Sequence, residues 1–376
     1  MKKTTQWIAA LLVMPVILAA PGKAQAEKIS RDDVKPIAVA GAAAEAAGKM
    51  KPKAKPPAAP QAPKVDIPGA AQEKPANKKA AQKAAKEKAE AVSQAAEEAF
   101  EQVAAMAEAG DIQAQYILGI AYYTGRQAEP DERAAVEWWR RAAIGGHPDA
   151  AAYLGLAYAE GFGGMPQNGT EAERRYLRAE QDGSALANVL LGIDGYRKNT
   201  PADKAAAIER FRTAAKQGNT QAKGFLQMIE RRGTDARQDF GKNLDWKKES
   251  GKTSLTDLYT QAGTNAFQGN IAGQDYTAAA GWWELAAQAD NAAAQALLGT
   301  AYYTGRGVEQ DETKAVELFK TAAAKNEPLA QYMLGKAYLA GNVVQRNKEL
   351  ALKLFRAAGE AGIADAKRQA DWLERG

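Results

Sequence analysis

Few residues of this chain have the types and spacing that metal binding or catalysis requires. There is one histidine, His147, and no cysteine, and a single histidine cannot build a His-rich metal site or a zinc-binding helix motif. The acidic residues are scattered at helical spacing, without the alternating acidic loop of a calcium site. The sequence therefore predicts no metal and no cofactor. His147, between Gly146 and Pro148, is predicted to be a turn residue.

Two stretches match part of a catalytic motif but lack its other residues. Gly251-Lys252-Thr253 matches the end of a phosphate-binding loop, but Trp246 stands where that motif needs a glycine and no β-strand is predicted before it. Ser250 and Ser254 lack the lysine three residues later that a serine acyl-enzyme pattern contains. No catalytic residue is predicted, so the function is expected to depend on an extended surface.

The elements that form this surface come from a phrase that recurs about every 36 residues. It reads Leu-Gly-Ile-Ala-Tyr at 118–122 and Leu-Gly-Thr-Ala-Tyr at 298–302. Its anchor glycines are Gly119, Gly155, Gly192, Gly263, Gly299 and Gly335. A worn repeat, with Gln227 at the anchor and Gly233 at the following turn, lies between the third and fourth anchors. A fixed period of this length indicates a solenoid, in which each unit buries its apolar face only against its neighbours.

Each repeat contains two predicted helices. Helix A of the first repeat covers about residues 114–124 and ends at Gly125, which supplies a left-handed residue. Helix B starts near Asp131, whose side chain suits an N-cap. A glycine inside helix A costs about 1 kcal/mol relative to alanine, and its recurrence indicates that helix B approaches at that point. Aromatic pairs on helix B, such as Trp138 and Trp139, are predicted to fill the space between consecutive repeats.

The start of the chain has a different composition. Lys2 and Lys3 precede an apolar run, and Ala24-Gln25-Ala26 fits a signal-peptidase site. Residues 1–26 are therefore predicted to be a signal peptide that is cleaved after Ala26. Residues 27–79 are rich in Ala, Lys and Pro and are predicted to be a disordered linker. A short leader and a disulfide-free chain are typical of export to a bacterial periplasm, which is the predicted location.

The net charge of +5 is unevenly distributed. Residues 27–89 contain 14 basic and 7 acidic residues. The excess positive charge therefore lies in the leader and the linker, and the repeats are mildly acidic. A nucleic-acid-binding face on the repeats is not expected. The basic linker is interpreted as a solvated spacer that keeps the repeats in solution, and the alternative is a tether whose lysines make weak contact with anionic lipid or cell wall.

Several of these features together resemble the Sel-one-like repeat, a relative of the tetratricopeptide repeat. The resemblance rests on the A-x-x-x-L-G-x-x-Y segment, the glycine six residues after the anchor, and the loop Gly305-Arg306-Gly307-Val308 with Asp311 after it, and it covers about residues 95–376. It implies an all-α fold, a right-handed α-solenoid of about seven helix-turn-helix repeats of about 36 residues, over residues 80–376. Lys198 at a helix stop and Gln227 at an anchor depart from the pattern and allow a bend or a softer segment at about 233–256.

The resemblance to tetratricopeptide arrays also implies that the A helices line a concave groove. Side chains three residues before the anchor glycine, and one, four and five after it, are then expected to face the groove. The candidate partner-binding residues at these positions are Tyr116, Ile120, Tyr123, Leu156, Tyr196, Phe267, Tyr303, Tyr332 and Leu339. The aromatic residues four positions after the anchor are favoured, because Tyr122 and its equivalents are expected to serve the core and aromatic side chains that the core does not need are frequent binding anchors. They are Tyr123, Tyr196, Phe267 and Tyr303. The alternative is that Tyr116 and Tyr332 pack between neighbouring A helices.

Two functional hypotheses follow. The first is a non-enzymatic periplasmic scaffold or regulator that binds an envelope protein or peptide in the concave groove. The second is a structural linker of the cell envelope whose basic tail contacts peptidoglycan or anionic lipid. Some relatives with this repeat are reported to act on β-lactams. Those relatives are rich in cysteine, and this chain has none, so the resemblance does not extend to that activity.

Overall fold

The computed structural model describes residues 65–68, 78–232 and 244–375. All of these residues belong to one compact unit, Pro60–Gly376. The leader predicted at 1–26 and nearly all of the linker predicted at 27–79 lie outside the described residues.

The described part of the chain is built from α-helices, without a β-strand, which confirms the all-α prediction. The helices are α1 (Lys78–Glu108), α2 (Ile112–Thr124), α3 (Glu132–Ile144), α4 (Pro148–Glu160), α5 (Gly169–Gln181), α6 (Ala185–Lys198), α7 (Pro201–Lys216), α8 (Thr220–Arg232), α9 (Trp246–Ser250), α10 (Leu255–Gln268), α11 (Tyr276–Gln288), α12 (Ala292–Thr304), α13 (Glu312–Ala323), α14 (Pro328–Ala340), α15 (Lys348–Glu360) and α16 (Ala364–Arg375). The predicted A–B hairpins are α2 with α3, α4 with α5, α6 with α7, α10 with α11, α12 with α13, and α14 with α15.

Helices outside these hairpins lie at the two ends and in the middle. Helix α1 packs on α2 and buries Ala99, Val103 and Ala107, as expected for an opening half-repeat. Helix α8 is the A helix of the worn repeat, and the short helix α9 follows it. The turn predicted at Gly233 lies outside the described residues. Helix α16 packs on α15.

All six hairpins share one contact, in which an aromatic ring lies against a glycine. The ring belongs to helix B and lies against the anchor glycine of helix A in the same repeat. The pairs are Gly119 with Trp139, Gly155 with Tyr176, Gly192 with Phe211, Gly263 with Trp283, Gly299 with Phe319, and Gly335 with Phe355. A Cβ atom built on Gly299 would lie 2.7 Å from Cε1 of Phe319, so no larger residue fits there without displacing the ring. This confirms the predicted approach of helix B to the anchor.

The position of the rings differs in part from the sequence prediction, which assigned them to the space between consecutive repeats. Trp139 does reach the next repeat, because its ring stacks on Tyr153 of α4 with the ring centroids 4.4 Å apart. The contact shared by every hairpin, however, is with the glycine of the same repeat. Steric fit inside a repeat therefore determines where an anchor glycine is required.

The ends of the A helices also follow the predicted pattern. Gly125 adopts φ 71° and its N–H donates a hydrogen bond to the carbonyl oxygen of Ala121. Left-handed glycines end four further A helices, at Gly161, Gly269, Gly305 and Gly341. In α6 the last helical residue is Lys198, and Asn199 adopts φ 68° in place of a glycine. Asparagine tolerates this conformation better than most residues, so the departure at Lys198 moves the helix stop by one residue and does not remove it.

His147 was predicted to be a turn residue, but in the structure it follows the turn at Gly145 and Gly146 and is the buried N-cap of α4. Its Nδ1 atom accepts a hydrogen bond from the N–H of Ala150 at 3.3 Å, and its ring stacks on Tyr116 with centroids 4.1 Å apart. Burial lowers the pKa of His147 to about 3. The residues that cap the other A helices are Asp111, Ser184, Asn219, Ser254, Asn291 and Glu327. His147 therefore occupies a recurring capping position and has to stay neutral to accept its hydrogen bond.

Two helices of the second half contact the first helices of the chain: α10 packs against α2, and α11 packs against α1. One apolar cluster contains Val103 of α1, Leu118 of α2, Tyr259 of α10 and Trp282 of α11. The prediction that each repeat buries its apolar face only against its sequence neighbours is therefore wrong at this point. The physical reason is that α1 and α2 have an apolar face beyond the one that α3 and α4 cover, and α10 and α11 remove it from water.

We expect alanine at an anchor glycine to destabilise the fold. Gly299→Ala brings a Cβ atom against Phe319, and overpacking of this kind costs about 1 to 3 kcal/mol. Gly281→Ala is the matched control, because Gly281 is also helical but no atom lies within 4 Å of the position that its Cβ atom would take. This control should gain about 0.5 to 1 kcal/mol from helix propensity. Urea unfolding of the purified protein measures both, and a Gly299→Ala variant as stable as Gly281→Ala would contradict the steric explanation.

We expect His147 to make stability fall in mild acid. Because its pKa is lowered on folding, the unfolded chain binds a proton below its ordinary pKa, near 6.5, while the folded chain stays neutral down to about pH 3. Stability is therefore fully present above about pH 6.5 and decreases below it, by about 1.4 kcal/mol per pH unit.

The matched variant for this effect is His147→Asn, which keeps an N-capping side chain without a titrating group. Between pH 7.5 and 5.0, the free energy of unfolding of the wild-type protein should fall by about 2 kcal/mol more than that of the variant. Urea titrations followed by circular dichroism at both pH values measure this difference. Equal losses in the two proteins would show that His147 is not a buried neutral cap.

Candidate partner-binding surface

The nine candidate residues lie in two groups. Five belong to one apolar cluster whose buried residues lie on α2 to α9: Tyr116, Ile120, Tyr123, Leu156 and Tyr196. Of these, Tyr116 is partly buried and the other four are at most 4% exposed. The other four lie on α10, α12 and α14: Tyr332 is buried, and Phe267, Tyr303 and Leu339 are partly buried. Their roles in partner binding stay predictions, and the buried ones have a packing role in this structure.

The relation between Tyr122 and Tyr123 is the reverse of the expectation. Tyr122 is partly buried, whereas Tyr123 is 4% exposed. The ring of Tyr123 stacks on Phe162, with centroids 5.1 Å apart, and meets Trp139 edge-on at 5.3 Å. Burial raises the pKa of Tyr123 well above its ordinary value, and the negative charge of Glu160 adds to the rise. Tyr123 is therefore enclosed by aromatic rings of its own repeat and the next.

Part of this enclosure is supplied by a segment that follows α8, residues 244–254, which we call the inserted segment. Trp246 is 7% exposed and belongs to the same apolar cluster as Tyr123. Nζ of Lys247 lies 5.6 Å from the centroid of the Tyr123 ring and 3.2 Å from Oε1 of Glu132. The lysine therefore has an aromatic face on one side and a carboxylate on another, and both arrangements favour a cation.

Polar contacts fix the rest of the inserted segment. The hydroxyl groups of Ser250 and Tyr153 are hydrogen-bonded at 2.7 Å. Nη1 of Arg126 donates to the carbonyl oxygen of Thr253 at 2.7 Å, and Nε2 of Gln221 donates to Oε2 of Glu249 at 3.2 Å. The contacting residues lie on α4, just after α2 and on α8, so A helices and the ends of A helices hold this segment.

Sequence reasoning missed Tyr153, Phe162 and Lys247. Tyr153 stands two residues before its anchor glycine and Phe162 seven after it, positions that the groove rule leaves out. Trp246 was noted in the sequence only as a missing glycine of a phosphate-binding loop. A usable signal was present, because Asp245 is an N-capping type immediately before Trp246.

In the second half of the chain the residue four positions after the anchor has different neighbours. The ring of Phe267 packs against Trp283, with centroids 5.6 Å apart, and the guanidinium of Arg306 lies 5.9 Å from its centroid. Tyr303 and Leu339, at the same position of α12 and α14, are partly buried. Among the described residues no aromatic ring or cation packs on the ring of Tyr303, so this ring is less covered than that of Tyr123.

A cleft of about 600 Å³ lies beside α9. Its lining includes Tyr122, Asp131, Glu132, Gly163 and Lys247. Asp131 caps α3 and Glu132 is paired with Lys247, so both carboxylates already have structural partners. Residues 78–232 and 244–375 contain no grouping of three or more metal-binding side chains. In the same part of the chain, no helix has the length and apolar character that crossing a bilayer requires.

Comparison with known proteins identifies the repeat. The Sel1 repeat matches residues 112–147, 148–184, 185–219, 263–291, 292–327 and 328–363. Two similar solved structures are c5321, a protective antigen of uropathogenic Escherichia coli with an SLR fold, and a Sel1 repeat protein from Oxalobacter formigenes. The first is 29% identical over 73% of this chain, with a TM-score of 0.31. The second is 28% identical over 73% of this chain, with a TM-score of 0.30.

The alignment with the antigen covers 59% of that protein, and the alignment with the Oxalobacter protein covers 80%. Both TM-scores are low, so the assignment rests on the repeat matches. Five of the six matched ranges begin at the start of a helix A, the range 263–291 begins inside α10, and together the ranges cover more than half of the 376 residues. The chain belongs to the Sel1 repeat family.

Proposed function

We propose that this protein is a non-enzymatic scaffold of the periplasm that holds a peptide segment of an envelope protein against its A helices. Sel1 repeat proteins generally mediate protein–protein interactions, which supports the class of function. The periplasm is supported by the composition of residues 1–26, with Lys2 and Lys3 before an apolar run and Ala24-Gln25-Ala26 after it.

The observation that carries the proposal is the inserted segment. It is a short peptide that packs mainly on A helices, through a buried tryptophan, a lysine over the ring of Tyr123, and hydrogen bonds with Tyr153 and Arg126. The same lysine also pairs with Glu132 at the start of a B helix. The A-helix surface of the first repeats is thus suited to hold a peptide, and there it holds one from the same chain. The A helices of the second half offer the same type of surface with less of it covered.

A partner is therefore proposed to contact α10, α12 and α14. Phe267, Tyr303 and Leu339 are the partly buried candidates on these helices. Rigid aromatic and apolar side chains that are only partly covered lose little conformational entropy on binding, and this favours them as anchors. The four candidates buried in the first half have a packing role in their own repeats and are not part of the proposed surface.

Site-specific photo-crosslinking in living cells tests the proposal. A photoreactive residue at Leu339, on helix A, should form a discrete adduct with an envelope protein. The matched position is Glu317, which is exposed on helix B of the preceding repeat and should form none. Adducts of equal yield at both positions, or none at Leu339 in cells that contain the folded protein, would contradict binding at the A-helix surface.

The alternative function is a structural envelope linker, and the excess of basic residues in 27–89 favours it. If it is correct, a peptide of residues 27–79 should sediment with purified cell-wall sacculi or with anionic vesicles. The bound fraction should fall steeply when the salt is raised from about 0.05 to about 0.5 M, because the Debye length shortens. Absence of binding at low salt would leave the linker function without support.

A further inference from the structure

We propose that Tyr303 and Glu312 form a binding site for a lysine side chain of a partner's peptide segment. This inference deepens the proposed function, on which it rests, by naming the chemistry that the A-helix surface of the second half recognises. It comes from comparing two near-identical stretches of the chain, one of which holds a lysine of the same chain.

The two stretches are residues 118–126 and 298–306. They read Leu-Gly-Ile-Ala-Tyr-Tyr-Thr-Gly-Arg and Leu-Gly-Thr-Ala-Tyr-Tyr-Thr-Gly-Arg, so only the third residue differs. In both, an Asp-Glu pair follows, and the aspartate, Asp131 or Asp311, caps helix B. The glutamate is the first residue of helix B, Glu132 in one and Glu312 in the other. A tyrosine and a glutamate thus recur nine positions apart in two equivalent hairpins.

In the first copy the pair holds Lys247 of the inserted segment. Its Nζ atom lies 3.2 Å from Oε1 of Glu132 and 5.6 Å from the centroid of the Tyr123 ring. The ring face attracts the ammonium group through its quadrupole. The carboxylate attracts the same group through its negative charge. This is a direct observation of the chemistry that the pair accepts.

The second copy has the same backbone framework: the N–H of Asp311 donates to the carbonyl oxygen of Tyr302 at 2.9 Å, as the N–H of Asp131 donates to that of Tyr122 at 3.0 Å. Tyr303 and Glu312 therefore have the same placement in their hairpin as Tyr123 and Glu132. Burial raises the pKa of Tyr303, and the negative charge of Glu312 adds to the rise, as Glu132 does for Tyr123. Within residues 78–232 and 244–375, no basic group lies within ion-pair distance of Glu312 and no cation lies over the Tyr303 ring. Both residues are partly exposed, so a side chain of another molecule can reach them.

The other aromatic residues at this position already have a cation. Lys247 lies over Tyr123, Lys204 over Tyr196, and Arg306 over Phe267. The neighbouring ring of Tyr302 has Lys314 at 4.1 Å from its centroid. Tyr303 therefore departs from a pattern that the rest of the fold follows, and it does so beside a carboxylate without an ion-pair partner in the described residues.

One other difference between the copies restricts the ligand. Tyr153, which bonds the hydroxyl of Ser250 in the first copy, corresponds to Met333 in the second, two residues before the anchor glycine. The second copy therefore offers a partner for a lysine but no hydroxyl group to pair with a serine three residues after that lysine.

The test uses the full mature protein and a fluorescein-labelled peptide with the sequence of residues 244–254, which already contains the Trp-Lys pair. Fluorescence anisotropy measures its affinity. Glu312→Gln and Tyr303→Leu should each weaken binding by about threefold to tenfold. Tyr303→Phe keeps the ring and should bind like the wild-type protein. Acetylation of the peptide lysine that corresponds to Lys247 should weaken binding by a similar factor.

Glu317→Gln is the charge-matched control, because it removes one exposed carboxylate from the same helix, and it should leave the affinity unchanged. Equal affinities for the wild-type, Glu312→Gln and Tyr303→Leu proteins would place the peptide elsewhere and overturn the inference. No binding to the wild-type protein would overturn it as well. Neither result affects the adduct expected at Leu339, so failure of the lysine site and failure of the scaffold proposal are distinguishable.

Discussion

The contact of an aromatic ring with a glycine determines how each repeat of this protein is assembled. Helix A presents a backbone without a side chain at the anchor, and the ring of helix B lies directly on it. The contact brings the two helices close together, and dispersion between densely packed atoms is gained only at such distances. Fully buried alanines on helix B, such as Ala135 and Ala142, allow the same approach along the rest of the hairpin. The chain has no cysteine, so its hairpins are held by packing and capping, without disulfides.

Local features of the repeat were readable from the sequence because each depends on a few neighbouring residues. Gly125 predicted a left-handed helix end and Asp131 an N-cap, and both are confirmed. His147 was less readable, because a histidine is an unusual cap and its burial depends on Tyr116 of another helix. The contact between the ring and the anchor glycine was predicted only in part. The glycine indicated that helix B approaches helix A there, but it did not indicate which side chain makes the contact, because that ring lies some 20 residues away in the sequence.

Features that depend on long-range packing could not be predicted. Nothing in α10 itself indicates that it packs on α2, since an apolar helix face suits several neighbours equally well. The prediction placed Tyr122 in the core and Tyr123 at the surface, whereas Tyr123 is the more buried of the two. Consecutive residues are only about 100° apart around a helix, so the sequence pattern fits either tyrosine in the core. The contacts of Trp246 and Lys247 with the first repeats could not be predicted, because they depend on which distant helices the inserted segment packs against. The candidate surface was therefore predicted as a row of positions, while the degree of cover at each position came from the structure.

In the proposed function, the same surface chemistry serves two purposes in this protein. In the first repeats, aromatic rings, Glu132 and Arg126 hold a segment of the same chain. In the second half, the equivalent rings are only partly covered, and a repeat protein can use such a surface to bind another chain without changing its architecture. Internal packing and partner recognition then differ only in the origin of the segment that is bound.

A double-mutant cycle between Gly299 and Phe319 tests the central claim most directly. In the wild-type background, Gly299→Ala adds a Cβ atom that meets the ring; in the Phe319→Leu background the ring is absent, and the same substitution adds a good helix former at lower steric cost. We expect a coupling of about 1 kcal/mol or more in the free energy of unfolding, with Gly299→Ala less harmful, or even favourable, in the Phe319→Leu background. An equal effect of Gly299→Ala in both backgrounds would contradict the claim that ring-on-glycine contact determines the assembly of the repeat.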